Sequence, residues 1–178
     1  MSKTDLLSQR IIFLHEPITR ETSNRIIEQL LYLDAHEKQE RIDMYINSPG
    51  GSVTDGIAII DTMHCIQAPV STICTGQAAS MAAWVLAAGA KGQRFATPNA
   101  EIMIHQVWSG ISGQTSQIEI YTNRLLKMQE RLIFMLSEWT KQTPEKIKMD
   151  MERDYFMSAN EAKTYGIIDD VLVPFNKE

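Results

Sequence analysis

A chain of 178 residues, 44% hydrophobic and 22% charged, has the make-up of a globular protein long enough to bury a sizeable core. A formal net charge of −5 without any basic cluster argues against nucleic acid as the main partner, and no apolar run approaches the length that spans a bilayer. Cys65 and Cys74 sit in apolar runs, which speaks against a disulfide framework, and Met1 to Arg10 is polar with no signal core, so a soluble cytoplasmic protein is expected.

In chain order, strands and helices alternate. Ile11–Leu14 reads as a short strand and Thr22–Leu33 as a helix with Ile26, Ile27, Leu30, Leu31 and Leu33 on one face. A second strand, Ile42–Ile46, is ended by the turn Asn47-Ser48-Pro49-Gly50-Gly51, and a helix follows from about Thr54 to Ile66. After Pro69 the β-branched run Val70–Cys74 predicts a buried strand. It leads into Gly76 and a dense set of small residues, Ala78, Ala79, Ser80, Ala82 and Ala83. Beyond Ser80 the alanine-rich pattern is helical and stops at Gly89, a suitable C′ residue. Phe95–Ala96 and Ile102–Ile104 are further short strands, and Ser109–Gly113 is a flexible, glycine-containing loop.

One helix is unusually long. Ser116-x-x-Glu119 has the form of a capping box, and neither Gly nor Pro interrupts the chain from there to Thr140. Apolar residues fall at Ile118, Tyr121, Leu125, Met128, Leu132, Met135 and Trp139, with a second row of Leu126, Ile133 and Leu136. At 1.5 Å per residue such a helix is roughly 35–40 Å long, against a radius of gyration of about 16 Å for a domain this size. Either part of it projects and its seam needs a partner subunit, or it lies across its own sheet. Thr143-Pro144 then opens a short helix to about Met151, and Arg153–Met157 reads as an edge strand. Ser158-x-x-Glu161 caps a helix that Gly166 ends, and Ile167–Val173 closes the chain as a last strand. The alternation predicts one α/β domain.

The chemistry centres on Ser80. A serine on a sharp strand-to-helix turn faces unpaired N–H groups that favour a developing alkoxide or oxyanion. The flanking residues are Ala78 and Ala82, so this is not a G-x-S-x-G elbow, and an ordinary serine capping a packed helix start would read the same way. Such a nucleophile needs a base and an orienting acid. Of four histidines, His15 borders the Glu16-Pro17 turn, His36 lies in a charged loop, and His64 sits between apolar residues as a core histidine would. His105 ends an apolar strand beside the Gly/Ser loop, where catalytic groups tend to stand. The acid is left open by spacing: Asp43, Asp55, Asp61, Asp150, Asp154, Asp169 and Asp170 all compete, and Asp154, between Arg153 and an aromatic strand, is either partly buried and held ionised or in an ordinary surface ion pair. The Gly50-Gly51 turn is either a plain strand-to-helix connection or a source of oxyanion donors, since Gly51 allows close approach of its N–H. No G-x-x-x-x-G-K-[ST] occurs, so nucleotide hydrolysis is not this chain's own work.

Five stretches together carry a family resemblance: YINSPGGSV (Tyr45 to Val53), STICTGQAASMAA (Ser71 to Ala83), LAAGAKGQRFATPNAEIMIHQ (Leu86 to Gln106), GQTSQIEIYTNRLLKM (Gly113 to Met128) and RDYFMSANEAKTYGIID (Arg153 to Asp169). From about Arg10 to Leu172 the chain resembles the proteolytic subunit of the Clp protease, ClpP. The resemblance implies a crotonase-like α/β fold with a projecting handle helix, within a single peptidase domain over residues 1–178 whose handle is about 107–140. It implies a Ser-His-Asp endopeptidase cleaving unfolded polypeptides to short peptides, with Ser80 as nucleophile, His105 as base, Asp154 orienting it, and the N–H groups of Gly51 and Met81 as the oxyanion hole. No metal or cofactor is expected, because ATP is used by a partner AAA+ unfoldase. The implied assembly is two stacked seven-subunit rings of this chain, or a hetero-oligomer with a second ClpP paralogue in which this chain is a weakly active or structural subunit. The departures from the family pattern suggest such a divergent paralogue. The chain begins close to its first strand, without most of the family's axial loop and first helix. Val107-Trp108-Ser109-Gly110-Ile111-Ser112 replaces a Pro-Gly-rich segment, and Ser116-Gln117 replaces an acidic residue after Thr115.

Overall fold

The computed structural model describes residues 3–110 and 112–173. Its elements run α1 (Lys3–Ser8), β1 (Ile11–Leu14), α2 (Arg20–His36), β2 (Ile42–Ser48), α3 (Val53–Cys65), β3 (Val70–Ala79), α4 (Met81–Ala87), β4 (Arg94–Ala96), β5 (Glu101–Ile104), α5 (Thr115–Thr140), α6 (Pro144–Asp150), β6 (Tyr155–Ser158), α7 (Ala159–Tyr165) and β7 (Asp170–Val171). The expected α/β class is what is found. A seven-stranded sheet carries the parallel path β1-β2-β3-β4-β7, while β5 pairs with β3 and, antiparallel, with β6.

β3 organises this sheet. It runs five residues beyond the expected end at Cys74, with Gly76 inside it rather than in a turn. Thr72–Cys74 pair with β4, whereas Gln77–Ala79 pair with β5. The switch occurs at an irregularity in the β2–β3 register between Ile46 and Ser48. There Gly76 holds φ 95, and a Cβ on it would lie 2.7 Å from Asn47 Oδ1. That oxygen accepts the Gln77 N–H at 3.2 Å, so Asn47 takes the place of a ladder partner. The bend turns the end of β3 away from β4 and toward β5. At the far end of α4, Gly89 is tolerated for closeness rather than for handedness, because a Cβ there would run into the Thr72 side chain.

Four helix starts follow Ser or Thr capping residues whose backbone is not yet helical. Thr19 accepts from Thr22 N, Ser52 from Asp55 N and Thr143 from Lys146 N, and Ser158 with Glu161 forms a complete capping box. The box expected at Ser116 does not form. α5 begins at Thr115 with Gln114 as its N-cap, at φ −66 and ψ 148 and without a side-chain cap bond. Ser116 is therefore already inside the first turn, where its backbone is helical and cannot cap.

The core gathers β1, β2 and β3, the apolar faces of α2 and α3, all of α4, and the last two turns or so of α5. Within α5 only Leu132, Ile133, Leu136, Ser137 and Thr140 are buried, and residues 115–124 are exposed throughout. At 26 residues the helix is about 39 Å long, and its first half projects. Two ends differ from expectation. The Lys3–Ser8 helix precedes β1, and Leu7 packs on the core. The last strand is only Asp170–Val171, because Ile167 and Ile168 turn inward as core residues after the left-handed Gly166. The expected loop Ser109–Gly113 includes Ile111, which lies outside the described residues. Among the described residues no helix is long and apolar enough to cross a membrane.

Candidate active site

Ser80 sits between β3 and α4 with φ 52 and ψ −132, a backbone that a side-chain-bearing residue rarely adopts. Its own N–H donates to Met103 O on β5 at 2.9 Å, which ties the turn to the neighbouring strand. The turn leaves the hydroxyl within hydrogen-bond reach of His105 in the cleft. Immediately behind it lies Gly50, at φ 86; a Cβ there would lie 2.5 Å from Ala79 O and 2.7 Å from Ser80 Cβ. The Asn47–Gly51 turn can thus back directly onto the serine only because position 50 has no side chain.

That turn is itself held firmly. The Ser48 hydroxyl donates to Glu16 O at 2.7 Å and accepts from Gly50 N at 3.1 Å. Ile18 N donates to Gly50 O at 2.8 Å, and Ser52 N donates to Ile18 O at 2.9 Å. Gly51, at φ 149, falls between these two bonds, and any Cβ on it would run into Ile18 O. Its N–H and that of Met81 have no acceptor among the described residues, and both residues line one cleft with Ser80.

His105 follows the last residue of β5, and its Nε2 lies 2.8 Å from Ser80 Oγ. The antiparallel register pairs Ile104 with Tyr155, so the next pair outward is His105 opposite Asp154. His105 Nδ1 and Asp154 Oδ1 are 3.6 Å apart, close enough for an ion pair and too long for a hydrogen bond. Of the two readings open for Asp154, the structure has the exposed one: its side chain is 61% exposed, because it stands before β6 rather than within it. Just beyond His105, Gln106 N donates to Met151 O at 2.7 Å and Gln106 Nε2 to Glu152 O at 3.0 Å, fixing the segment that carries the carboxylate.

The other candidates lie elsewhere. His15 leans on the Phe13 ring, and burial together with Arg25 lowers its pKa. His36 Nδ1 bonds Tyr32 O, and His64 is exposed rather than in the core, with Nε2 against Ala88 O. Asp43 pairs with Arg41, Asp61 with Arg131, Asp150 with Lys146, Asp169 with Arg94 and Asp170 with Lys163, while Asp55 stands in the first turn of α3. Cys74 is buried and its thiol is pushed up to about 12, so it is no nucleophile. Among the described residues no three His, Cys, Asp or Glu side chains gather to hold a metal.

The cleft over Ser80 measures about 410 Å³ and has largely apolar walls, including Val53, Trp84, Met103, Val107, Trp108 and Leu132. Sequence reasoning left the three latter wall residues and Trp84 unassigned to any site. The signals were the fully apolar α4 face, which buries Trp84 so that its indole N–H donates to Leu132 O at 3.0 Å, and an 85% exposed Trp108 just after His105.

A hydroxyl against an imidazole, beside two unpaired backbone N–H groups at the end of an α/β sheet, is a constellation suited to acyl transfer. Residues 1–174 match the family model described as Clp protease, and the chain belongs to that family. It is a ClpP-type protease subunit, and its sheet with the long projecting helix is that family's fold.

Proposed function

We propose that the chain is a serine endopeptidase subunit that hydrolyses unfolded polypeptide within an oligomeric, ATP-dependent protease. The observation that carries this reading is the 2.8 Å separation of Ser80 Oγ and His105 Nε2 at the floor of an apolar cleft. His105 Nε2 takes the Ser80 proton as Oγ attacks the peptide carbonyl carbon. The carbonyl oxygen gains the negative charge and is bound by the N–H groups of Gly51 and Met81, and the imidazolium faces the Asp154 carboxylate. The protonated His105 then gives its proton to the leaving amine. Water, deprotonated by the same imidazole, attacks the acyl-enzyme and regenerates Ser80. No metal or cofactor enters these steps.

Assembly into stacked seven-subunit rings belongs to the same proposal. It is supported by family membership and by the exposed apolar side chains along the projecting half of α5. The absence of any P-loop pattern supports assigning ATP hydrolysis to a separate AAA+ unfoldase. Ser80→Ala should lower turnover of a fluorogenic peptide by about 10⁵-fold or more and abolish labelling by a fluorophosphonate probe. Labelling or turnover that persists in this variant removes Ser80 from the mechanism.

A further inference from the structure

The apolar cleft borders a second groove of very different character. Val53 and Leu132 line the cleft, and their chain neighbours Thr54 and Arg131 line a groove of about 320 Å³ between α3 and α5. The rest of that groove is Ile57, Arg124, Lys127 and Met128. Positions 124, 127, 128 and 131 are spaced i, i+3, i+4 and i+7, so they share one face of α5. Ile57 is buried and Met128 half-buried, giving an apolar floor beneath three exposed cations.

Charge on this face is poorly balanced. Asp61, one turn along α3 from Ile57, lies 3.9 Å from Arg131, with both side chains more than half exposed. Arg124 and Lys127 have no carboxylate partner among the described residues. Three stacked cations repel one another, and an anion set between them relieves that repulsion. The floor accepts the alkyl part of a side chain. The groove adjoins the cleft along both helices, at Val53 and Thr54 on α3 and at Arg131 and Leu132 on α5, which makes the polypeptide substrate itself the occupant.

We propose that Arg124, Lys127 and Arg131 form a subsite for an acidic side chain, Asp or Glu, of the bound polypeptide within a few residues of the scissile bond. The proposal rests on the reading of the Ser80 cleft as the peptide site. It makes this chain selective for acidic segments, with the guanidinium groups of Arg124 and Arg131 taking the carboxylate through paired N–H donors and Lys127 adding a point charge.

The test is direct binding to Ser80→Ala protein, read by fluorescence anisotropy. The ligands are a dye-labelled decapeptide containing Asp-Glu and its Asn-Gln twin. The acidic peptide should bind about five- to tenfold more tightly at low salt, and the preference should fade at about 0.5 M NaCl, as expected for exposed charge pairs. Adding Arg124→Gln and Lys127→Gln leaves only Arg131, whose charge Asp61 already faces, and should bring the preference to about unity without changing the Kd of the neutral twin. Equal binding of the twins, or a preference that survives the double substitution, overturns the proposal. A double variant whose oligomeric mass differs from the parent by native mass spectrometry assigns these cations to a subunit interface and overturns it equally. Ser80→Ala performs no acyl transfer, so this binding is read independently of the nucleophile assignment, which fails separately if the unsubstituted protein resists fluorophosphonate.

Discussion

Ser80 is held at φ 52 by three neighbours that leave it no alternative: the Met103 carbonyl that accepts its N–H, the backbone of Gly50 beneath its Cβ, and the start of α4. Backbone strain of this kind costs on the order of 1–3 kcal/mol and persists only where the surroundings enforce it. Glycine accepts such a φ without a Cβ penalty, and alanine does not. Ser80→Gly is therefore expected to be more stable than Ser80→Ala by about 1 kcal/mol, both being inactive in the proposed mechanism. Comparing their thermal midpoints under identical assembly conditions measures the difference. Equal midpoints would mean that the turn relaxes around residue 80. Either way the cost sits at the hydroxyl proposed as nucleophile, where stability and activity pull in opposite directions.

Among the elements, α5 divides into two halves with different solvents. Leu132, Ile133 and Leu136 are buried, and the carbonyl of Leu132 accepts the Trp84 indole N–H, so the second half is fastened to α4. The first half presents Ile118, Ile120, Tyr121 and Leu126 to solvent. Covering a side chain of this size contributes about 1.5–3 kcal/mol, which gives the projecting half reason to pack against another subunit. Replacing Ile120 and Leu126 together by Ser should shift the assembled protein to smaller species in sedimentation while leaving its far-UV circular dichroism unchanged, because neither side chain supports the fold of its own chain. An unaltered sedimentation profile would move the assembly face off α5.

At the scale of the whole molecule, Arg94 joins parts that are distant in sequence. From β4 its guanidinium pairs with Asp169 at 2.6 Å and donates to Gly166 O at 3.0 Å and to Ala87 O and Trp139 O, each at 3.4 Å. A buried cation thus closes the carboxyl ends of α4, α5 and α7 onto the sheet. Burial by itself would raise the Asp169 pKa, but the hydrogen bonds and charge of Arg94 outweigh it and hold the carboxyl below its ordinary 3.8. A carboxyl whose folded pKa is depressed adds stability that is complete above the unfolded value and is lost as pH falls through the folded one. The Tm should accordingly drop as pH is taken from about 5 toward 3, and Asp169→Asn should flatten that limb. The substitution also leaves Arg94 buried without its counter-charge, lowering Tm near neutral pH by about 5 °C. Differential scanning calorimetry across this range measures both effects, and parallel acid limbs in the two proteins would remove Asp169 from the linkage.

The sequence by itself determined the alternation of strands and helices, the strand-to-helix junction at Ser80, the strand end at His105 and the length of α5. All of these are written in local periodicity, small residues and breakers, which act over a few positions. What only the tertiary structure decided are the features that depend on partners far along the chain. β3 runs past Gly76 because Asn47, on another strand, supplies the missing ladder oxygen. α5 starts at Thr115 without using Ser116, since a side chain caps only from backbone that is not yet helical. Ile167 and Ile168 enter the core instead of a strand because the left-handed Gly166 redirects the chain. Asp154 could be set apart from the other candidate aspartates only by resemblance to a family, as its place opposite His105 comes from the antiparallel register of β5 and β6. A pattern of residues records which face of an element is apolar, but not which other element will lie against it; that choice is made by the packing of the whole.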